Sequence, residues 1–200
     1  MKRFLTTLFL FTFLITAYSQ EEVILDYSLQ IDSLYKLDQK IRKTKYSKAK
    51  VILANSNYTR EKHNKAKVLV DEWNRIDLGN IRCLLGLIKK HGFPSKKRVG
   101  QKSYNHAMIL LVHFDRDTNN KILLPILDNA LANKEIEPTY YAWITDRHYA
   151  LFGGPQNYYS HDPCAFLKLP MADRNRVLIN RQKIGLNTFR FSCEGKGYFL

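Results

Sequence analysis

His113, Asp115, Asp146 and Arg147 are the residues of this chain whose types and spacing suit chemistry. A histidine at a helix end, two positions from an acid, can be held in one tautomer and act as a general base near neutral pH. Asp146 and Arg147 are consecutive in a helical stretch, so their side chains point about 100° apart and pair poorly with each other. One of them can face a ligand while the other braces a neighbouring loop. The planar guanidinium of Arg147 suits a carboxylate or a phosphate. After them comes Gly153-Gly154-Pro155, a turn that lets backbone approach a ligand, and then Gln156, Tyr158 and His161. The expected site has His113, Asp115 and Asp146 as catalytic groups and Arg147, Gln156 and Tyr158 as ligand-binding groups. Its walls are the 141–161 stretch and His113-Phe114-Asp115.

Each residue also has a plainer reading. His113 can simply cap its helix, where positive charge is favoured. Asp146 and Arg147 can form ion pairs that fix the fold. Gln156 and Tyr158 can satisfy loop backbone. His148 and His161 are read as surface residues, and Trp73, Trp143 and Phe93 as core or pocket lining.

No metal or cofactor is expected. His106 and His113 are seven apart, which puts them about 10 Å apart along a helix, whereas helical metal pairs are spaced four apart. Glycine-rich phosphate loops, Gly-x-Ser-x-Gly, His-Glu-x-x-His and Cys-x-x-Cys do not occur in the sequence.

The elements that must position these groups read as mainly α, in a single compact multi-helix domain spanning 20–200. A first helix is expected from Asp26 to about Lys45, with Leu29, Leu34, Leu37 and Ile41 inward and Asp38 paired with Arg42. Residues 46–58 are ambiguous between helix and strand. A helix from about Glu61 is expected to break at Asp77-Leu78-Gly79-Asn80, with Asn80 capping the next one, Ile81 to His91. Gly92 and Pro94 stop that helix, and 93–102 reads as a loop. Helices follow at Ser103–Phe114, at about Lys121–Asn133 with Pro125 in the first turn, from Pro138 to Phe152, and at Asp173–Lys183 closed by Gly185.

Residues 1–19 read as a signal peptide. Lys2 and Arg3 precede an apolar run of about 12 residues, short of the roughly 20 that span a bilayer, and small residues allow cleavage before Gln20. An uncleaved anchor is the alternative. The expected location is therefore exported, periplasmic or secreted. The net charge is +14, two units of it in the leader. This favours a small anionic ligand or an anionic envelope surface as partner, unless it only keeps the chain solvated. The basic residues are spread rather than gathered into an arm, which favours the solvated-surface reading, and nucleic acid is not the expected partner. Of three cysteines, Cys164 and Cys193 lie in loop-rich sequence and suit a disulfide, while Cys83 reads as a small buried apolar residue.

The order of the rarer residues carries a resemblance. Asp38-Gln39-x-x-Arg42 is followed by Gly92-Phe93-Pro94 with Gly100, then His113-Phe114-Asp115, Asp146-Arg147, Gly154-Pro155-Gln156-x-Tyr158, and Arg181 before Gly185-Leu186. This resembles the bacterial family called domain of unknown function 6624, over nearly all of the mature chain. Members carry a Gly-Trp-Pro turn, a Gln-His-Ala-Asp segment, an Asp-Arg pair and a Gly-x-x-Gln-x-Tyr-Gly-Thr-Gln loop. Here Val112 and Phe114 replace Gln and Ala, and Tyr159-Ser160-His161 replaces Gly-Thr-Gln. The resemblance implies a fold and candidate residues rather than a reaction. Two classes of function stay open: a small exported enzyme, a hydrolase or lyase using His113 with an acid and an arginine, or a non-enzymatic envelope module whose polar cluster braces helices. A nucleic-acid-binding role is a third, weaker reading.

Overall fold

The structure, a computed structural model, describes residues 25–43, 45–55, 58–113, 120–152, 155–161, 163–186, 190–193 and 196–199. The leader, Asp115 and the Gly153-Gly154 pair lie outside the described residues. The chain is mainly helical, as its patterning implies. The described residues form eight helices and one two-stranded antiparallel hairpin. None of these helices is long and apolar enough to cross a membrane. The chain divides into two compact units between Leu110 and Leu111.

The first unit contains α1 (25–42), α2 (Lys45–Ala54), α3 (Arg60–His91) and most of α4 (Lys96–Val112). The buried stripe of α1 is Tyr27, Ile31, Asp38 and Ile41, whereas Leu29 and Leu37 are exposed. The expected inward face is thus corrected: the helix buries a carboxylate in line with its apolar residues. Asp38 is tolerated there because Arg42 pairs with it at 2.9 Å, one turn on. Arg42 also meets Asp77 at 3.1 Å, and the Trp73 indole donates to Asp77 at 2.8 Å.

Within the ambiguous 46–58 region, helix α2 runs to Ala54 and packs along α3. α3 runs unbroken for 32 residues, so the expected break at Asp77–Asn80 is absent. Asn80 is not a cap but a buried mid-helix residue, whose amide reaches toward the Leu34 carbonyl at 3.5 Å. Gly79 keeps helical conformation because neighbouring residues bury enough of the helix to outweigh its low propensity. Thr59 caps the true start, accepting from the Lys62 amide at 3.4 Å. Gly92 ends the helix as expected, with φ +83° and its amide donating to the Ile88 carbonyl at 2.8 Å. The expected 93–102 loop is shorter than read. Helix resumes at Lys96, and Gly100 at φ +76° kinks it before the main run. Cys83, expected to be buried, is exposed.

The second unit contains α5 (Asn120–Ala132), α6 (Pro138–Phe152), α7 (Pro163–Phe166), α8 (Met171–Lys183), β1 (Arg190–Cys193) and β2 (Lys196–Phe199). Pro138 opens α6 as expected, since a first-turn residue needs no amide proton. α5 starts at Asn120, which places Pro125 inside the helix rather than in its first turn. α8 closes in a Schellman arrangement: Gly185 has φ +77°, its amide reaches the Gln182 carbonyl at 3.0 Å, and the Leu186 amide reaches Arg181 at 2.8 Å. β1 and β2 pair with Cys193 opposite Lys196, and α7 packs on β1. Cys164 is disulfide-bonded, so the expectation of a disulfide holds for that residue. Tyr159, Phe166 and Val177 form a core cluster in this unit, with Ala165, Leu167 and Leu169 against it.

Candidate functional site

α6 presents a continuous buried face of Tyr141, Ala142, Ile144, Thr145 and Asp146. Asp146 lies one turn beyond Ala142, and its exposure is 0%. A carboxylate placed there must find donors or carry a large desolvation cost. It finds them in the loop 155–161, which folds back over the helix. The Asn157 amide donates to Oδ1 at 2.8 Å, and the Tyr158 amide is shared between both oxygens at 3.1 and 3.2 Å. The Ser160 amide and hydroxyl each donate to Oδ2 at 2.9 Å. Burial raises the Asp146 carboxyl above its ordinary range, and the hydrogen bonds from Ser160, Tyr158 and Asn157 oppose that rise. Both oxygens are occupied by loop donors, so neither is open to take a proton from a substrate.

The rest of the loop is held in the same way. Arg181 of α8 is buried and donates to the Tyr158 carbonyl at 2.9 Å. Burial draws its guanidinium below its ordinary value, and the Asp146 charge works against that shift. Gln156 is buried, and its Oε1 accepts the His161 amide at 3.2 Å. Tyr158 packs edge-on to Tyr141 at 5.9 Å between ring centres. Tyr141 donates to Asp128 at 2.6 Å, and burial with that carboxylate raises its phenol far above the ordinary value, so it acts as a neutral donor.

His161 is not the surface residue the sequence suggests. Its Nδ1 accepts the Trp143 indole N–H at 3.1 Å, and its Nε2 lies 2.6 Å from the Trp143 carbonyl. That pattern requires a neutral ring with its proton on Nε2. Burial, and then Arg147, lower this imidazole below its ordinary value. Tyr159, which stands where the resembled pattern has glycine, has φ +51°. Glycine adopts that conformation freely, whereas a tyrosine is strained in it by about 1 kcal/mol. Its ring packs on Phe166 at 6.2 Å, which offsets the strain. Ser160, in place of threonine, keeps a hydroxyl where the pattern has one.

The structure therefore brings Asp146, Gln156 and Tyr158 together around one buried, hydrogen-bonded loop. Arg181, Ser160 and His161 complete it, although the sequence marks Arg181 only within the resembled motif order and reads His161 as a surface residue. The buried face of α6 and the left-handed Tyr159 were signals visible only once the loop's path was known. Arg147 is half-buried, and its Nε is buried without a partner among the described residues. His113 is half-buried at the end of α4. Its expected neighbours in the second wall, Phe114 and Asp115, lie outside the described residues. Among the described residues, no group of three or more His, Cys, Asp and Glu gathers as a metal site.

Set against protein-family models, curated proteins and solved structures in turn, the chain finds no significant match in any of the three.

Proposed function

We propose that the second unit is a binding module for a small anionic ligand, with Arg147 as the contact and the loop 155–161 as a pre-organised, non-catalytic platform. The observation behind this is the division of labour between two consecutive residues. Asp146 is consumed by loop donors, while the Arg147 Nε is buried without an acceptor. A buried, unpaired guanidinium N–H is costly, and an incoming carboxylate or phosphate would relieve that cost. Attraction by a basic chain favours the same ligands. The leader pattern supports an exported setting, and the motif order supports placing the chain beside the domain of unknown function 6624 family.

Titration of the full chain with inorganic phosphate and with succinate, followed by calorimetry, tests the proposal. Arg147→Ala is expected to abolish binding at an almost unchanged melting temperature, and Arg147→Lys to restore it only in part, because an ammonium lacks the planar fork. Bracing alone is the second reading, favoured by the saturated Asp146. It requires Arg147→Ala to lower the melting temperature and leave anion affinity unaltered.

A further inference from the structure

A second polar cluster lies in the first unit, where α1 and α4 meet. Asp32 Oδ1 accepts from the Ser103 hydroxyl at 2.8 Å and lies 2.8 Å from His106 Nδ1. Lys102 Nζ is 3.0 Å from the other oxygen. Tyr35 lies flat against the imidazole, with ring centres 3.8 Å apart and planes 6° apart. The Asp32 and His106 side chains are only 14% and 18% exposed. Burial pushes the Asp32 carboxyl upward, but the hydrogen bonds from Lys102, His106 and Ser103 outweigh it and hold the group below its ordinary value. Asp32 is thus an anion at working pH and keeps a proton on His106 Nδ1. In the neutral ring the lone pair then sits on Nε2, which has no protein partner among the described residues. Ser103 and Lys102 already tie the two helices through Asp32. The stacked tyrosine and the Nδ1 bond do something more, which is to fix the tautomer and the direction of the ring.

We propose that Asp32 and His106 form a proton-transfer dyad at which His106 Nε2 activates water for hydrolysis of a small anionic ester, with Lys102 pairing with the ester's negative group. Nε2 takes one proton from the water, and the water oxygen bonds to the acyl carbon. The acyl–oxygen bond breaks with its electron pair on the leaving oxygen, and that oxygen recovers the proton from the imidazolium. The reaction needs no co-reactant beyond water. Asp32 is a positioning residue that also stabilises the transient imidazolium. The other groups gathered on the dyad are Tyr35 from α1 and Ser103 and Lys102 from α4. This site stands apart from the Arg147 module and does not depend on it.

The test uses the full chain with 4-nitrophenyl acetate and mono-4-nitrophenyl succinate as probes. Hydrolysis is expected to exceed that by an equal concentration of free imidazole and to favour the succinate ester. His106→Gln is expected to lower the rate roughly a hundredfold at an unchanged melting temperature. Lys102→Ala is expected to erase the preference for the anionic ester. Asp32→Asn is expected to lower kcat roughly tenfold with KM little changed, because the transient imidazolium loses its counter-charge. A His106→Gln rate equal to wild type, or a wild-type rate no greater than free imidazole, overturns the proposal. If His106→Gln does not fold, diethyl pyrocarbonate labelling of the native chain, mapped by mass spectrometry, decides. Carbethoxylation at His106 that abolishes ester turnover supports the dyad, and an unmodified His106 overturns it.

Discussion

Protonating His161 removes the acceptor of the Trp143 indole and puts a second cation beside Arg147. The folded value of this imidazole is depressed below its ordinary 6.5. The stability it contributes is therefore complete above that ordinary value and is lost as pH falls through the lower folded one. Wild type is expected to lose melting temperature between neutral pH and about pH 5 more steeply than His161→Gln, as read by tryptophan fluorescence. Parallel slopes would show that the ring does not titrate against the fold. Tyr159 sets two known magnitudes against each other. Tyr159→Gly relieves about 1 kcal/mol of backbone strain but gives up roughly 2 kcal/mol of aromatic burial, so a modest net loss in urea stability is expected. At this scale the sequence pointed to Asp146, Gln156 and Tyr158 as a group, and they do cluster. It did not reveal what they do, because a carboxylate facing loop amides and one facing a ligand are spelled with the same letter.

Helices were readable where their ends carry chemistry that only one residue type satisfies. Gly92, Pro138 and Gly185 each mark a real boundary. They failed where packing overrides propensity. α3 passes through Gly79 without a break, and α1 hides its buried face behind Asp38, which no apolar pattern would include. These readings yield paired expectations. A Cβ added at Gly79 or Gly86 would meet nothing within 4 Å. Both are exposed helical positions, so Gly79→Ala and Gly86→Ala are expected to stabilise the chain by about 0.5–1 kcal/mol each. Gly100 has equally open surroundings but φ +76°. Gly100→Ala is therefore expected to cost about 1 kcal/mol from backbone strain alone. Urea midpoints of the three variants check the signs, and a stabilising Gly100→Ala would contradict the kink. Arg42 anchors α1 to α3 through Asp38 and Asp77, and the Asp77 Oδ1 is already buried without a partner. Removing the guanidinium leaves two carboxylates facing each other. Arg42→Ala is expected to cost on the order of 3 kcal/mol, seen in the same titration.

Over the whole molecule, composition foretold a helical protein and a disulfide but misplaced Cys83. A cysteine inside an apolar run reads as core until the helix is turned and its exposed side is seen. Cys83 is free and exposed, and Cys164 is bonded. A thiol reagent is therefore expected to count one reactive cysteine in the native chain and three after reduction and unfolding. Reduction alone is expected to destabilise the second unit by roughly 2–4 kcal/mol. Asp146 holds the loop 155–161 through both of its carboxylate oxygens. Urea unfolding of Asp146→Asn addresses that directly, because the substitution keeps size and shape while turning one acceptor into a donor that faces loop amides. A fall of about 2–3 kcal/mol is predicted, and a midpoint indistinguishable from wild type would contradict the account.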